Sequence, residues 1–476
     1  MAKGSAAQDF SDALLEVYSK YKEPSLHFQR VRHRDVVPLL QQFAQNPLFD
    51  LREIGKSVQG REIYSVTVGK GPVNVLMWSQ MHGNEATATM ALFDMFHFFK
   101  DEEAFPEFKK ALLEKVTLTF IPMLNPDGAE VHERRNALGI DLNRDALHLQ
   151  APESRLLKQM RDKLDADFGF NLHDQNSLWS AGKSNQPASV SFLATAFNEA
   201  KEINEVREKS MKLIISLNRI LQKYIPGRIG KFNDDFEPRA FGDNIQKWGT
   251  SLVLIESGGN RKDPERQEVR KMNFVAILSA LKAIIEEDYL QNKLEDYYAI
   301  PNNEESLFHL LIRNATVNKE DGSYTMDIGI NHESDHEAEE LPLKFTASIE
   351  DLGDLSTFYG YEEIDASGMT VVPGKVYPRP LHSWKEAQQI DFNELLKAGY
   401  LFVKVHQLER DKSFTNVPIN WIAYQRPLPP IDITLGSTAN FLLVKQGSPC
   451  YAIVNGFIYD LTQGRNEILN GVIYKG

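Results

Sequence analysis

The chain has 476 residues, of which 53 are basic and 66 acidic, so its formal net charge is −13. The length exceeds that of one typical core and predicts two domains, while 42% hydrophobic residues exclude general disorder. The acidity, with no block of Lys and Arg, argues against nucleic acid and anionic membrane surfaces as partners. A single cysteine, Cys450, excludes a disulfide framework or a cysteine-rich zinc site within one chain.

The first residues, MAKGSAAQDFSD, lack the apolar core of a signal peptide. No uninterrupted apolar run approaches the roughly 18 residues that a membrane-spanning helix needs. These features predict a soluble, cytoplasmic protein. The alternative is a secreted or periplasmic protein in which MAKGS is a cloning remnant that replaces a removed signal peptide.

The predicted elements begin with two helices between residues 10 and 46, within an N-terminal helical segment, 1–49. From Leu51, short β-rich runs broken by Gly and Pro indicate the start of a sheet. Elements then alternate through a domain over 50–300: helix 86–100, strand 116–124, helix 153–165, strand 168–172, helix 196–223, strand 251–256 and helix 264–287. Apolar strands that alternate with helices are typical of an α/β sheet covered on both faces.

The pattern changes after about Asn302, where helices become scarce and runs such as YLFVKVHQL and YAIVNGFIYDL dominate. Runs of this length, in which apolar and polar residues alternate or apolar residues dominate, are typical of strands when turn residues separate them. We therefore expect a boundary between 290 and 305 and a mostly β domain over 306–476.

A His-x-x-Glu pair, His82 and Glu85, follows an apolar strand in the segment SQMHGNEA. Ligands bind at the carboxyl ends of strands in open α/β sheets, and imidazole with carboxylate is a suitable pair of zinc ligands. On its own, however, the pair is more typical of a polar turn in which a glutamate complements the dipole of the following helix.

Two other strands end on residues that suit the same site. His173 ends FGFNLH and is the candidate third ligand, while Asp174 beside it either orients a ligand or is an exposed loop residue. Glu256 closes the apolar strand SLVLIE, where a buried carboxylate needs a partner or a cation. It is the candidate general base for a metal-activated water, and a glutamate that simply emerges into solvent is the alternative.

The segment NPDGAEVHERRNALGIDLNRDA (125–146) is dense in hydrogen-bond donors. Arg134 and Arg144 each offer a planar guanidinium that can bind a carboxylate or polarise a carbonyl, and Asn143 adds an amide. A solvated basic loop is the alternative, although the apolar GIDL between the arginines indicates that the segment passes through the interior.

The motifs HGNE, NPDG and DLNR, with Arg134, His173 and Glu256, resemble those of the zinc metallocarboxypeptidases in order and spacing, over roughly residues 50–290. The resemblance implies a three-layer α/β/α fold with a mixed, largely eight-stranded sheet. It implies one zinc ion per chain, and the implied metal ligands are His82, Glu85 and His173.

The same resemblance implies a role for each remaining site residue. Glu256 would act first as general base and then as general acid, and Arg134 would stabilise the oxyanion of the tetrahedral intermediate. Asn143 and Arg144 would bind the terminal carboxylate of the substrate, which makes such an enzyme an exopeptidase.

The sequence departs from the family pattern in the loop before Glu256. Family members often place a tyrosine on this mobile loop, but GKFNDDFEPRAFGDNIQKWGT (230–250) contains none. The residue that selects the substrate side chain is expected near Ala240 to Asp243. Asp243 would favour a basic side chain, unless a shift of one residue moves it out of the pocket.

The β-rich tail resembles the small β-sandwich that flanks the barrel of metal-dependent amidohydrolases. Only about 54 residues (377–430) separate its two halves, too few for a (β/α)₈ barrel of about 200 residues or more. VYPRPLHSW also lacks the paired histidines that would open that metal site. The tail is therefore expected to serve docking, dimerisation or shaping of the cleft.

We expect a zinc metallopeptidase, a hydrolase that removes the C-terminal residue of a peptide. The first alternative is a zinc amidase of the aspartoacylase or desuccinylase type, which shares HGNE and DLNR but is not expected to carry NPDG. The second alternative is an amidase for γ-glutamyl or diaminopimelate bonds of cell-wall peptides. A binding protein without activity is disfavoured, because neither a ligand nor the base is missing.

Overall fold

The computed structural model describes residues 3–261, 263–334, 344–409, 412–463 and 471–475, with side chains from residue 10 onward. It divides into two compact units, Met1–Glu305 and Ser306–Gly476. Within the described ranges, no helix combines the length and the apolar character needed to cross a bilayer.

The first unit contains ten helices and ten strands among its described residues. The helices are α1 (Lys3–Tyr21), α2 (His33–Phe43), α3 (Thr87–Lys100), α4 (Pro106–Lys115), α5 (Pro126–Val131), α6 (Pro152–Leu164), α7 (Glu205–Leu221), α8 (Phe241–Lys247), α9 (Gln267–Glu286) and α10 (Glu295–Tyr298). The strands are β1 (Asp50–Lys56), β2 (Glu62–Val68), β3 (Val73–Ser79), β4 (Val116–Ile121), β5 (Phe168–Asp174), β6 (Trp179–Ala181), β7 (Val190–Leu193), β8 (Ile229–Lys231), β9 (Ser251–Ser257) and β10 (Asn303–Glu305).

Eight of these strands form one mixed sheet in the order β1-β2-β4-β3-β5-β9-β7-β8. The central strands β4, β3, β5 and β9 are parallel, whereas β1, β2 and β7 pair antiparallel with their neighbours toward the centre. The parallel strands place His173 and Glu256 directly opposite each other at one sheet edge. The predicted α/β class and mixed eight-stranded sheet are confirmed.

The sheet is buried on both faces, as its apolar strands require. Along β3, Val75 and Met77 pack into a core with α3, α7 and α9, while Leu76 and Trp78 pack into a second core with α6 and α8. This alternation follows from the two-residue period of a strand. The first unit therefore has three layers, with helices on both sides of the sheet.

Several predicted elements differ from those observed. The helix expected over 196–223 begins only at Glu205, because the Asn204 side chain accepts the N–H of Arg207 and caps the first turn. The short helices α4, α5 and α8 were not predicted. α8 covers residues that the sequence assigned to a loop, and its seven residues are too few for a clear helical period.

The second unit is mostly β, as expected. Its strands are β11 (Leu307–Lys319), β12 (Gly322–Ser334), β13 (Phe345–Gly353), β14 (Tyr359–Asp365), β15 (Thr370–Pro373), β16 (Lys375–Val376), β17 (Leu381–Ser383), β18 (Tyr400–Gln407), β19 (Asn420–Ala423), β20 (Phe441–Lys445), β21 (Ser448–Val454), β22 (Phe457–Asp460) and β23 (Ile473–Tyr474). Its helices are α11 (Trp384–Gln388) and α12 (Phe392–Lys397).

The strands of the second unit form two sheets, one of eight strands and one of five. One apolar core contains residues from both sheets, such as Phe402 and Trp421 of the smaller sheet and Leu442 of the larger. A separate core, which includes Ile312 and Ile330, lies on the larger sheet. Residues 464–470 of the β domain predicted over 306–476 lie outside the described residues. The likeness to amidohydrolase sandwiches stays a prediction.

Candidate metal centre

The loop between β3 and α3 carries HGNE and packs against the NPDG segment, backbone to backbone. A side chain added at Gly83 would lie 2.1 Å from the carbonyl carbon of Gly128, and one added at Gly128 would lie 2.6 Å from the carbonyl oxygen of Arg135, so both motifs need glycine here. The buried side chain of Gln80 donates to the Gly83 carbonyl oxygen at 2.9 Å and holds the loop closed. The turn that carries the candidate ligands is therefore fixed by close packing.

Asn125 of NPDG connects this loop to the arginine segment. Its Oδ1 accepts the N–H of Gly128 at 2.9 Å and caps α5, while its Nδ2 donates to the Arg134 carbonyl oxygen at 3.3 Å. Its own N–H donates to the Gln80 carbonyl oxygen at 2.9 Å. NPDG is thus a structural motif that positions HGNE and Arg134.

His82, Glu85 and His173 converge as the sequence predicts. One donor atom from each lies within 4.8 Å of the other two, and all three residues are buried. Oε1 of Glu85 is 2.7 Å from Nδ1 of His82, and its Oε2 is 2.7 Å from Nδ1 of His173. Two imidazole nitrogens and a carboxylate around one point form a donor set typical of catalytic zinc, and the three residues fit that ion.

Asp141, the first residue of DLNR, orients His82 and received no role from the sequence. Its Oδ1 lies 3.1 Å from Nε2 of His82, the ring nitrogen that faces away from Glu85. Burial alone raises the pKa of Asp141, but the hydrogen bond and charge of His82, and then the charge of Arg134, outweigh it and hold the pKa low. An anionic partner on Nε2 leaves the Nδ1 lone pair of His82 directed at a metal.

Arg134 lies directly against the candidate ligands. Its Nη1 is 3.0 Å from Nδ1 of His82 and 3.2 Å from Oε1 of Glu85, and its Nε donates to Oδ2 of Asp141 at 3.0 Å. The Arg134 side chain is 41% exposed, so its guanidinium borders both the buried ligands and solvent. The structure thus brings a fixed cation to the place where a metal-polarised group would lie.

Glu256 ends β9 and is paired in register with His173 on β5. The residue is only 8% exposed, so the alternative of a glutamate in solvent is wrong. Burial, followed by the nearby charge of Glu85, raises the pKa of Glu256 well above its ordinary value. The structure therefore brings a second carboxylate beside the three candidate ligands.

The side chain of Asp174 is only 6% exposed, so the alternative of an exposed loop aspartate is wrong. Its Oδ2 accepts the N–H of Thr87 at 3.2 Å and the Thr87 hydroxyl at 2.7 Å, at the first turn of α3. Its own N–H donates to Oε2 of Glu85 at 3.2 Å. Burial raises the pKa of Asp174 to about 6, against the opposing charge of Arg266. The residue joins the two segments that carry Glu85 and His173.

Asn143 and Arg144 lie on a short 3₁₀ helix, Leu142–Arg144, that follows Asp141. Oδ1 of Asn143 accepts the N–H of Phe241 at 2.9 Å, which ties this turn to the first residue of α8. Nε of Arg144 is 3.3 Å from Oε2 of Glu237, and the arginine is partly exposed. The turn that carries both residues therefore connects Asp141 with α8 and the loop before it.

Asp243 lies in the first turn of α8 and is 7% exposed. Its Oδ1 accepts the N–H of Glu237 at 3.1 Å and closes the turn before the helix. Burial raises the pKa of Asp243 to about 7. This carboxylate has a local structural role, and its part in selecting a substrate side chain stays a prediction.

The family model for zinc carboxypeptidases matches residues 37–220, a range that contains all three candidate ligands, Arg134, Asn143 and Arg144. Residues 37–220 are therefore similar in sequence to the zinc carboxypeptidase family. Glu256 and Asp243 lie beyond the matched range. Glu256 is on β9, which pairs with the strand that carries His173, and Asp243 is on α8.

Known relatives match only part of the chain. Carboxypeptidase 2 of Trichophyton rubrum is 30% identical over 39% of this chain and 31% of its own length. Carboxypeptidase SOL1 of Arabidopsis thaliana is 26% identical over 29% of this chain and 33% of its own. An uncharacterised protein of Zymomonas mobilis is 25% identical over 36% and 46%, so the chain spans less than half the length of each of these three relatives.

Two solved structures resemble the chain at low sequence identity. A metallo-carboxypeptidase from Burkholderia cenocepacia has a TM-score of 0.45 and 16% identity, and covers 54% of this chain and 70% of its own. A metallo-carboxypeptidase from Pseudomonas aeruginosa, in complex with (2-guanidinoethylmercapto)succinic acid, has a TM-score of 0.44 and 18% identity over 56% and 71%.

Proposed function

We propose that this chain is a zinc metallocarboxypeptidase, which hydrolyses the last peptide bond of a peptide with a free C-terminal carboxylate. The observation that carries the proposal is the convergence of His82, Glu85 and His173, whose donor atoms lie within 4.8 Å of one another. The match of residues 37–220 to the zinc carboxypeptidase family supports the same activity.

Zinc, when bound by these three residues, supplies a Lewis acid that polarises a carbonyl and lowers the pKa of water. Glu256 is the base in this proposal: its carboxylate takes a proton from the attacking water and returns it to the nitrogen of the leaving amine. Its register position opposite His173 supports this role, because a general base must lie within reach of the water.

Arg134 stabilises the negative charge that develops on the carbonyl oxygen in this proposal. Its Nη1 is 3.0 Å from a candidate ligand atom of His82, so its cationic group already borders the reacting centre. A donor that is fixed before reaction costs no reorganisation, and removal of such a donor typically lowers kcat by about 10²–10³-fold.

Asn143 and Arg144 bind the terminal carboxylate of the substrate in this proposal. The side-chain Oδ1 of Asn143 accepts the N–H of Phe241, so the side-chain Nδ2 of Asn143 points away from this backbone N–H. A guanidinium and an amide are suitable donors for a carboxylate. A clamp at a fixed distance from the metal selects the last peptide bond.

Two alternatives to the carboxypeptidase are a zinc amidase of the aspartoacylase or desuccinylase type and an amidase for cell-wall peptides. NPDG, which braces both HGNE and Arg134 here, favours the carboxypeptidase. Cytoplasmic location and oligomerisation through 306–476 also stay predictions.

The test is a digest of three substrates by the zinc-loaded protein: a peptide with a free C-terminus, the same peptide carboxyl-amidated, and an N-acetylated amino acid. Mass spectrometry is expected to show rapid loss of one C-terminal residue from the first peptide, only slow loss from the amidated peptide, and no cleavage of the third substrate. Release of acetate from the third substrate, with the first peptide intact, would identify the amidase instead.

A further inference from the structure

A buried asparagine on β5 has no partner for either polar atom of its side chain. Asn171 is 0% exposed, and within the described ranges neither its Oδ1 nor its Nδ2 has a hydrogen-bond partner. Buried carboxamides are nearly always paired, because an unpaired polar group loses its contacts with water and gains nothing in return. Among the described residues, nothing supplies the partner that this buried amide needs.

The strand register places Asn171 beside the candidate metal centre. Residues 171 and 173 share one face of β5, because successive side chains of a strand alternate between faces. His173 is paired with Glu256, and Asn171 is paired with Leu254 on one side and Trp78 on the other. On this face of the sheet, Asn171 is therefore adjacent to the pair His173 and Glu256. Its own neighbours across the strands are apolar.

The first turn of α8 connects Asn171 with the carboxylate clamp. A side chain added at Gly242 would lie 3.7 Å from Nδ2 of Asn171, so the backbone of α8 passes close to the amide. The preceding residue, Phe241, donates its N–H to Oδ1 of Asn143. The amide of Asn171 therefore lies against the same turn of α8 that contacts Asn143.

We propose that Asn171 forms the base of the pocket for the terminal side chain of the substrate and selects a residue with an uncharged carboxamide, glutamine or asparagine. This proposal rests on the proposed carboxypeptidase function. A carboxamide carries one acceptor and one donor group, so two carboxamides can pair through reciprocal hydrogen bonds. The paired residues Trp78 and Leu254 are apolar and offer no counterion to a charged side chain.

The rival determinant is Asp243, which would select a basic side chain. Its carboxylate already accepts the N–H of Glu237, whereas Asn171 has no partner among the described residues. A pocket built to hydrogen-bond a substrate group discriminates strongly against analogues that lack the group, because its own polar atoms are then left unpaired. The two residues therefore predict different substrate preferences.

The experiment measures kcat/KM of the zinc-loaded wild-type chain for matched acylated dipeptides that end in Gln, Leu or Lys. Glutamine is expected to exceed leucine and lysine by about ten-fold or more. Equal or higher values for Leu or Lys overturn the role of Asn171, whereas no release from any of the three peptides overturns the proposed carboxypeptidase itself.

The variant Asn171→Leu removes both polar atoms at similar volume. We expect the Gln/Leu ratio of kcat/KM to fall by about ten-fold or more, with an unchanged or higher melting temperature, because two unpaired polar atoms have been removed. A lower melting temperature with an unchanged ratio contradicts the proposal and indicates a purely structural asparagine. If the variant does not fold, the wild-type ratio alone decides.

Discussion

Each histidine of the candidate zinc site is held by a carboxylate, and the two carboxylates have different tasks. Asp141 contacts the far ring nitrogen of His82, at 3.1 Å, so it orients a ligand without competing for the metal. Glu85 contacts the Nδ1 atoms of both His82 and His173, which are the atoms that would bind a metal. At the residue scale, one carboxylate is therefore a candidate ligand and the other a positioning group.

Asp141→Asn is expected to weaken zinc binding by about 10–100-fold, because the amide no longer holds His82 as an anionic partner. Competition with a chelator of known affinity measures the change. Asp165→Asn is the control, since the side chain of Asp165 is 91% exposed. Equal zinc affinities for wild type and Asp141→Asn would show that this carboxylate does not position the ligand.

Glu256→Gln is expected to lower kcat by about 10²–10⁴-fold, because the amide cannot accept the proton of the attacking water. Peptide turnover is measured together with zinc content, which should stay at the wild-type level. Glu268→Gln on α9 is the matched control, because its carboxylate is 56% exposed. Wild-type turnover in Glu256→Gln would remove the assigned base.

Arg144→Ala is expected to lower kcat/KM for a free carboxyl terminus by about 10–100-fold and to leave the slow cleavage of an amidated peptide unchanged. The reason is the loss of a charge-assisted hydrogen bond between the Arg144 guanidinium and the substrate, which only a free carboxylate can accept. Arg239→Ala is the control, because both arginines pair with Glu237 but Arg239 is 56% exposed. A similar loss for both peptides would contradict the clamp.

At the element scale, a buried ion pair joins α1, α3 and α9. Nε of Arg270 on α9 donates to Oδ2 of Asp94 on α3 at 2.7 Å, and both side chains are fully buried. The Tyr18 hydroxyl of α1 donates to the same Oδ2 at 3.0 Å, and the N–H of Glu23 donates to Oδ1 at 2.8 Å. The N-terminal segment is thereby fixed to the helices that cover the sheet.

Asp94→Ala is expected to destabilise the first unit by about 3–5 kcal/mol, because it leaves a buried guanidinium without its counterion. Tyr18→Phe removes one hydrogen bond and should cost about 1 kcal/mol. Urea unfolding measures both changes. Glu286→Ala breaks a partly exposed pair with Lys282 on the same helix and serves as control at under about 1 kcal/mol. A small effect of Asp94→Ala would contradict this account.

The order of the longer strands and helices in the first unit was predictable, because buried strands and amphipathic helices have different periods, whereas α4, α5 and α8 are too short to show one. The metal triad was predictable because His82 and Glu85 follow one apolar strand and His173 lies near the end of another. The role of Asp141 was not, since its contact with His82 spans 59 positions. Asn171 did leave a signal, as a lone amide in the apolar run FGFNL, but its unpaired state depends on the neighbouring strands and α8.

At the scale of the whole molecule, the second unit has its own apolar cores and a partly buried histidine pair. The rings of His309 and His332 stack with centroids 4.8 Å apart, and Nδ1 of His309 accepts the N–H of His332 at 3.0 Å. Burial lowers the pKa of His309 to about 3 and that of His332 to about 4. Both rings are therefore neutral in the folded chain at neutral pH.

The second unit is expected to lose stability as the pH falls below about 6.5, by roughly 1.4 kcal/mol per pH unit for each histidine. The sign follows because the unfolded chain binds protons that the folded rings exclude. This contribution to stability is complete above the unfolded pKa of about 6.5 and is lost as the pH falls toward about 4.

Thermal unfolding between pH 7 and pH 4.5 measures this dependence. His309→Asn keeps an acceptor near the position of Nδ1, and His332→Gln keeps a donor near the position of Nε2, which lies 3.0 Å from the Gly456 carbonyl oxygen. Both variants should unfold with a smaller pH dependence than wild type. An unchanged pH dependence would show that the pair does not titrate on unfolding.

The most direct test of the proposed activity is the mass of the product from one unblocked peptide, incubated with zinc-loaded wild-type chain and with Glu256→Gln. The account predicts a product shorter by one C-terminal residue with the wild type, and an intact peptide with the variant and with chelator present. An intact peptide with the zinc-loaded wild type, or cleavage at an internal bond, would contradict it.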